Sequence, residues 1–251
     1  MRSFRLRGSA LTIAGIVVLA LAQSGNAAKE GFEPGDPAVS STGDAGTQGT
    51  FQGEAPPEGS NQFLITTIRS TDGDGVNPVS GTNAVINSAL QTFLHGIVLP
   101  GTEGSGVLIP FTVAAGDTLL TFQYDFLTNE QGTPHHNDFA FDAIFDSSNV
   151  LQGGINQFIT ADGAQASLVL FDGQDPFIFH TGYQTLTLSI AGLAPGNYSL
   201  GIGVEDRTTS DIASGLLIDN VQVVPEPSTV GLGMAGVVLL IALRRVIKKT
   251  S

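Results

Sequence analysis

The chain has 251 residues, 23 acidic and 10 basic, with a net charge of −13 and no cysteine. Disulfides, thiolate metal sites and cysteine nucleophiles are therefore excluded. Only Lys29, Arg69 and Arg207 fall between Arg7 and Arg244, whereas every acidic residue does, so this stretch carries −20; such a surface repels phosphate, which excludes nucleic acid as a partner, and attracts divalent cations.

The chain opens with Arg2, Arg5 and Arg7, an apolar segment from Ala10 to Ala22, and the small residues around Gly25-Asn26-Ala27-Ala28. This is the three-part pattern of a signal peptide over residues 1–27, removed by a signal peptidase. The apolar stretch is short for a spanning helix, which is the other reading.

Residues 28–224 form the expected domain. From Gly31 to Asn61, Gly, Pro, Ser and Thr dominate, which predicts turns and one or two edge strands. Phe63–Ile68 is the first clear strand. Ala84 to Leu94 repeats its apolar residues at helical spacing and predicts a single short helix. Strands follow at Gly106–Val113, Thr118–Leu127, Asp138–Phe145, Ser167–Phe171, Tyr183–Ile190, Asn197–Glu205 and Gly215–Val223. Turn residues separate them: Ala115-Gly116-Asp117, Asp146-Ser147-Ser148-Asn149 and Leu193 to Asn197. This spacing predicts an all-β antiparallel sandwich, with no repeat of fixed period. Tyr183–Ile190 alternates apolar with polar, so one of its faces should be wet.

The chain closes with Val224-Pro225-Glu226-Pro227-Ser228-Thr229, an uncharged apolar run from Val230 to Leu243, and the basic Arg244-Arg245 and Lys248-Lys249. Fourteen helical residues reach about 21 Å, against about 30 Å of hydrocarbon. The basic cluster favours the cytoplasmic side, and the prolines keep the preceding motif extended. An extended Pro-Glu-Pro, a short apolar helix and a basic end resemble the PEP-CTERM sorting signal over residues 225–251. The resemblance implies recognition at Pro225, Glu226 and Pro227 by an exosortase-type enzyme. It implies transient anchoring in the inner membrane, removal of the tail, and delivery to the cell surface or extracellular matrix of a Gram-negative-type bacterium. An ordinary single-pass anchor is the alternative.

Gly31-Phe32-Glu33, Phe126-Leu127-Thr128-Asn129-Glu130 and Gly215-Leu216-Leu217-Ile218-Asp219-Asn220-Val221 resemble segments of the jelly-roll domains of PEP-CTERM proteins, which are similar to carbohydrate-binding modules. That resemblance implies first and last strands that meet at a structural calcium, with Glu33 and Asp219 at the matching positions; a polar strand end is the other reading of Asp219. It also implies a non-catalytic protein associated with exopolysaccharide. A calcium-dependent carbohydrate-binding module and a glycan-modifying enzyme stand as alternatives.

Among other candidates, Asp72-Gly73-Asp74-Gly75 lacks the later ligands of a calcium loop and reads as a solvated turn. Asp125, Asn129, Glu130, Asp138 and Asp142 cluster along two consecutive strands, with His135 and His136 between them; either an exposed connection or a ligand site fits. His95 and His180 stand apart from any catalytic motif. A glycan site needs an aromatic platform, and there is no Trp. Tyr124 and Tyr198 read as core residues with hydrogen-bonded hydroxyls, whereas Tyr183 is expected to be the exposed ring.

Overall fold

A computed structural model describes residues 29–30, 32–68, 83–130, 137–171, 176–208 and 212–225, all within one compact unit. The expected signal peptide, apolar tail, Glu226, Pro227, the 72–75 turn, His135 and His136 lie outside the described residues. Among the described residues no helix is long and apolar enough to cross a membrane.

In chain order the elements are β1 (Lys29–Glu30), β2 (Ser40–Thr42), β3 (Asp44–Gln48), β4 (Gln62–Thr66), β5 (Val85–Ile86), α1 (Asn87–Phe93), β6 (Glu103–Val113), β7 (Asp117–Thr128), β8 (Phe139–Asp146), β9 (Asn156–Thr160), α2 (Ala161–Ala164), β10 (Val169–Leu170), β11 (Phe179–His180), β12 (Gln184–Ser189), β13 (Gly196–Asp206) and β14 (Ser214–Pro225). They build two antiparallel sheets. The first runs β10-β11-β7-β14-β4-β3, with β12 also on β7 and β1 on β14. The second runs β2-β6-β13-β8-β9, with β5 also on β6. The pairing of β1 with β14 brings together the two ends of the domain, with Glu30 opposite Val221.

Alternation along the strands sends one set of side chains between the sheets. Phe122, Tyr124, Phe126, Leu216 and Ile218 from the first sheet meet Val107, Ile109, Ile144, Leu200 and Ile202 from the second. The second sheet is also covered on its outer face, where α1 lays Leu90 and Leu94 against Phe139, Phe141 and Phe145. Glycines make room for this layer. A Cβ at Gly106 would stand 3.0 Å from Leu90, and one at Gly201 3.2 Å from Leu94. Burial on both faces explains why β8 is almost uniformly apolar.

The long strands fall where the sequence places them, α1 takes Asn87–Phe93 of the expected helix while Val85–Ile86 at its start form β5, and Gly116 (φ +95°) makes the expected turn before β7. Three expectations are corrected. The helical content is not one short helix, because α2 adds a turn capped by Thr160, whose Oγ1 accepts from Gly163 N. The strand expected over Ser167–Phe171 shrinks to Val169–Leu170. The last strand runs through Pro225, opposite Asp117, so the first proline of the expected sorting motif ends β14.

Candidate functional site

Three polar loci stand out against this apolar frame. The first is a cleft of about 330 Å³ where the edges of the two sheets approach each other, lined by β9, α2 and β12. Gln157 and Gln184 supply amides, Thr160 and Ser167 hydroxyls, and Tyr124 and Phe158 aromatic rings. The two rings meet edge to face at 4.9 Å. The Tyr124 hydroxyl donates to Gln184 Oε1 at 3.1 Å, and burial raises its pKa. This fixes the Gln184 amide at the wall of the cleft. β12 presents Gln184, Leu186 and Leu188 half-buried while Thr185, Thr187 and Ser189 are exposed, so the expected wet face is present.

The second locus lies on the outer face of the first sheet. His180 Nδ1 is 2.8 Å from Asp125 Oδ2 and 3.7 Å from Glu54 Oε1. Thr181 donates to Asp125 Oδ1 through both its N–H (3.0 Å) and its hydroxyl (3.1 Å). Phe171 stacks on the imidazole at 4.0 Å, and burial raises the Asp125 carboxyl pKa. Donor atoms of Glu54, Asp125 and His180 lie within 4.8 Å of one another, an arrangement able to hold a metal ion. His180 is thus not isolated, as its sequence context implies, but packed among carboxylates.

Tyr183 sits beside this group and is corrected from an exposed ring to a half-buried one. Its hydroxyl donates to Gln62 Oε1, and burial with the nearby charges of Asp125, Asp219 and Glu54 raises its pKa.

Glu33 and Asp219 lie near each other, as the resemblance implies, and grip one segment, 58–61, from two sides. Glu33 accepts from Ser60 N (2.5 Å), Ser60 Oγ (2.9 Å), Asn61 N (2.8 Å) and Asn61 Nδ2 (3.0 Å). These donors, led by Ser60 N, hold its pKa below the usual range. Asp219 accepts from Glu58 N and Asn220 N, at 2.8 and 2.7 Å, while burial pushes its carboxyl up to about 6. A bulge in β14, with Asn220 at φ +53°, aims Asp219 at this segment. Gly59 (φ +66°) is the close approach in the turn, since a Cβ there would collide with the Glu33 carboxylate. Donors point at Glu33 from four directions and compete with any cation, so the pair does not fit a calcium clamp and acts as a loop anchor.

The acidic cluster read from β7 and β8 separates. Asp125 and Asn129 both hold the segment around β11: Asn129 Nδ2 donates to Pro176 O at 2.8 Å, and its Oδ1 accepts from Ile178 N at 2.8 Å. Asp142 accepts from Asn156 Nδ2 at 2.8 Å, and burial pushes its carboxyl up to about 6. Glu130 and Asp138 do meet, in a buried third locus that also holds Glu103 and Asp206, which sequence reasoning missed.

The chain matches no protein-family model and no curated protein. Solved structures with a similar arrangement include TmCBM61 in complex with beta-1,4-galactotriose, at 10% identity and TM-score 0.40, covering 78% of this chain and 94% of that one. A cleaved adhesin domain of Lys-gingipain from Porphyromonas gingivalis aligns at 12% identity and TM-score 0.40, over 80% and 99%. A xylan-binding domain from Paenibacillus barcinonensis aligns at 12% and 0.33, over 77% and 90%. These likenesses are too distant to assign a function.

Proposed function

We propose that the chain is an exported, non-catalytic surface protein that binds a polysaccharide in the cleft between β9 and β12. The observation that carries this reading is the lining of the cleft. Amides and hydroxyls converge there on a space large enough for a sugar unit, beside the Phe158 ring. Amide groups donate to and accept from sugar hydroxyls, and an aromatic edge or face shields the C–H surface of a pyranose. The high negative charge directs the reading toward neutral glycans.

Display outside the cell rests on the sequence of the two ends. A signal peptide over residues 1–27 leads the chain out, and an exosortase-type enzyme acts at Pro225, Glu226 and Pro227. Attachment at the surface or in an exopolysaccharide matrix then presents the cleft to its glycan.

Affinity electrophoresis tests the binding claim. The chain is run through native gels containing neutral β-linked polysaccharides such as galactan, xylan or mixed-linkage glucan. Retardation by one of them, lost on Gln157→Ala and Phe158→Ala, is expected. Unretarded migration in every gel, or retardation indifferent to both substitutions, would leave a surface protein without this glycan site.

A further inference from the structure

At one end of the sandwich the inner faces of both sheets change from apolar to acidic. Two residues beyond the core positions Val204, Phe126 and Ala140 stand Asp206, Thr128 and Asp138, with Glu130 two further and Ser214 two before Leu216. Glu103 lies opposite Asp206 across the β6–β13 ladder. Glu103, Glu130, Asp138 and Asp206 are 1 to 2% exposed. Asp138 stands between the carboxyls of Glu130 and Asp206, with Ser214 beside it.

Among the described residues, Glu130, Asp138 and Asp206 are short of the partners that buried carboxylates require. Neither oxygen of Glu130 or of Asp206 accepts a hydrogen bond, nor does Asp138 Oδ2. Asp138 Oδ1 accepts from the Arg207 backbone N–H, at 3.3 Å. The neighbouring hydroxyls are turned to each other: Ser214 Oγ donates to Thr128 Oγ1 at 3.1 Å, which accepts from Glu130 N at 2.9 Å. Burial, together with the charges of neighbouring acids, raises the carboxyl pKa values, Glu130 to about 8. A carboxylate removed from water without a counter-charge is strongly disfavoured, and three within contact more so. Oxygen donors alone, several of them anionic, select a hard divalent cation that takes six to eight oxygens.

We propose that this end of the sandwich is a calcium-binding site, held by Glu130 from the β7 sheet and Asp138 and Asp206 from the β8–β13 sheet, with Glu103 at its margin. The ion bridges the two sheets where the apolar core ends and neutralises charge that otherwise forces them apart. Its carboxylates are not among the residues that line the sugar cleft, although α2 adjoins both, and Glu33 and Asp219 hold a different segment.

The test uses the full-length chain stripped with EDTA, with calcium as the probe and magnesium as the control. Calorimetric titration is expected to show calcium binding, and thermal melting a rise with millimolar calcium. Glu130→Gln and Asp206→Asn each weaken that binding about tenfold or more, whereas Glu33→Gln and His180→Ala leave it unchanged. The same two variants melt higher than the parent in EDTA at alkaline pH, where the parent's buried carboxyls ionise without a counter-charge. If either variant does not fold, the parent decides alone. Neither heat nor a melting shift with millimolar calcium overturns the proposal, as does calcium binding equal in the parent and both variants.

Discussion

Gly203→Ala should be among the damaging single methyls in the domain. Gly203 lies in β13, opposite Gly106 on one side and Phe141 on the other, so its backbone is held by ladders on both flanks. A Cβ there would stand 2.6 Å from Phe141 Cε1, closer still to Cζ, and 3.2 Å from Cε2. Phe141 is fully buried, with Phe139 at 6.0 Å between ring centres, so the ring has little room to retreat. Overpacking of this kind costs about 1–3 kcal/mol, partly offset by the roughly 0.4–1 kcal/mol that Ala gains over Gly through the unfolded chain. A net loss of about 1–2 kcal/mol lowers the melting temperature by roughly 2–8 °C for a domain of this size. Gly154→Ala, where a Cβ meets nothing within 4 Å, is the control and should be neutral or slightly stabilising. Paired calorimetric melts would decide. Equal melting temperatures for the two variants would refute the close-packed layer over β13. Rescue of Gly203→Ala by Phe141→Leu would support it directly.

Leu90→Ala removes the residue that seals α1 to the sheet and should cost about 2–5 kcal/mol by urea unfolding. Glu33→Ala releases four hydrogen bonds on the 60–61 backbone and side chains, and faster amide exchange confined to 58–61 is the expected readout. Glu205 is buried, with its carboxyl raised from 4.5 to about 7 by burial, and Asp142 is raised to about 6. Folded pKa values above the unfolded ones mean that this stability is full below about pH 4 and is lost as pH rises through about 6 to 7. Glu205 alone corresponds to roughly 3 kcal/mol, so the urea midpoint in EDTA should fall between pH 5 and pH 8; a rise over that window would contradict the burial of these groups.

The long strands were legible because eleven or twelve residues of alternation leave a clear period, as in β6, β7, β13 and β14. β11 has two residues and no period, so nothing local marked His180 for its meeting with Asp125. β9 was hidden because only Phe158 and Ile159 are apolar in it, and those two residues form part of the cleft. Glu130 and Asp138 drew attention as neighbours across one loop. Glu103 and Asp206 did not, because an acid at a strand end looks solvated until the register and the second sheet bury it. Tyr183 misled for the reverse reason: a ring after His180-Thr181-Gly182 reads as exposed, yet Gln62 from a distant strand receives its hydroxyl.

The central claim is that the β9–β12 cleft binds a glycan. Titration of the isotopically labelled chain with the oligosaccharide of whichever polysaccharide retards it tests this most directly, read as backbone amide shifts. The account predicts saturable shifts concentrated at Gln157 to Thr160, Gly163 to Ser167 and Gln184, absent in Gln157→Ala. Saturable shifts centred instead on Tyr183 and His180, or no saturable shift at millimolar sugar, would contradict it.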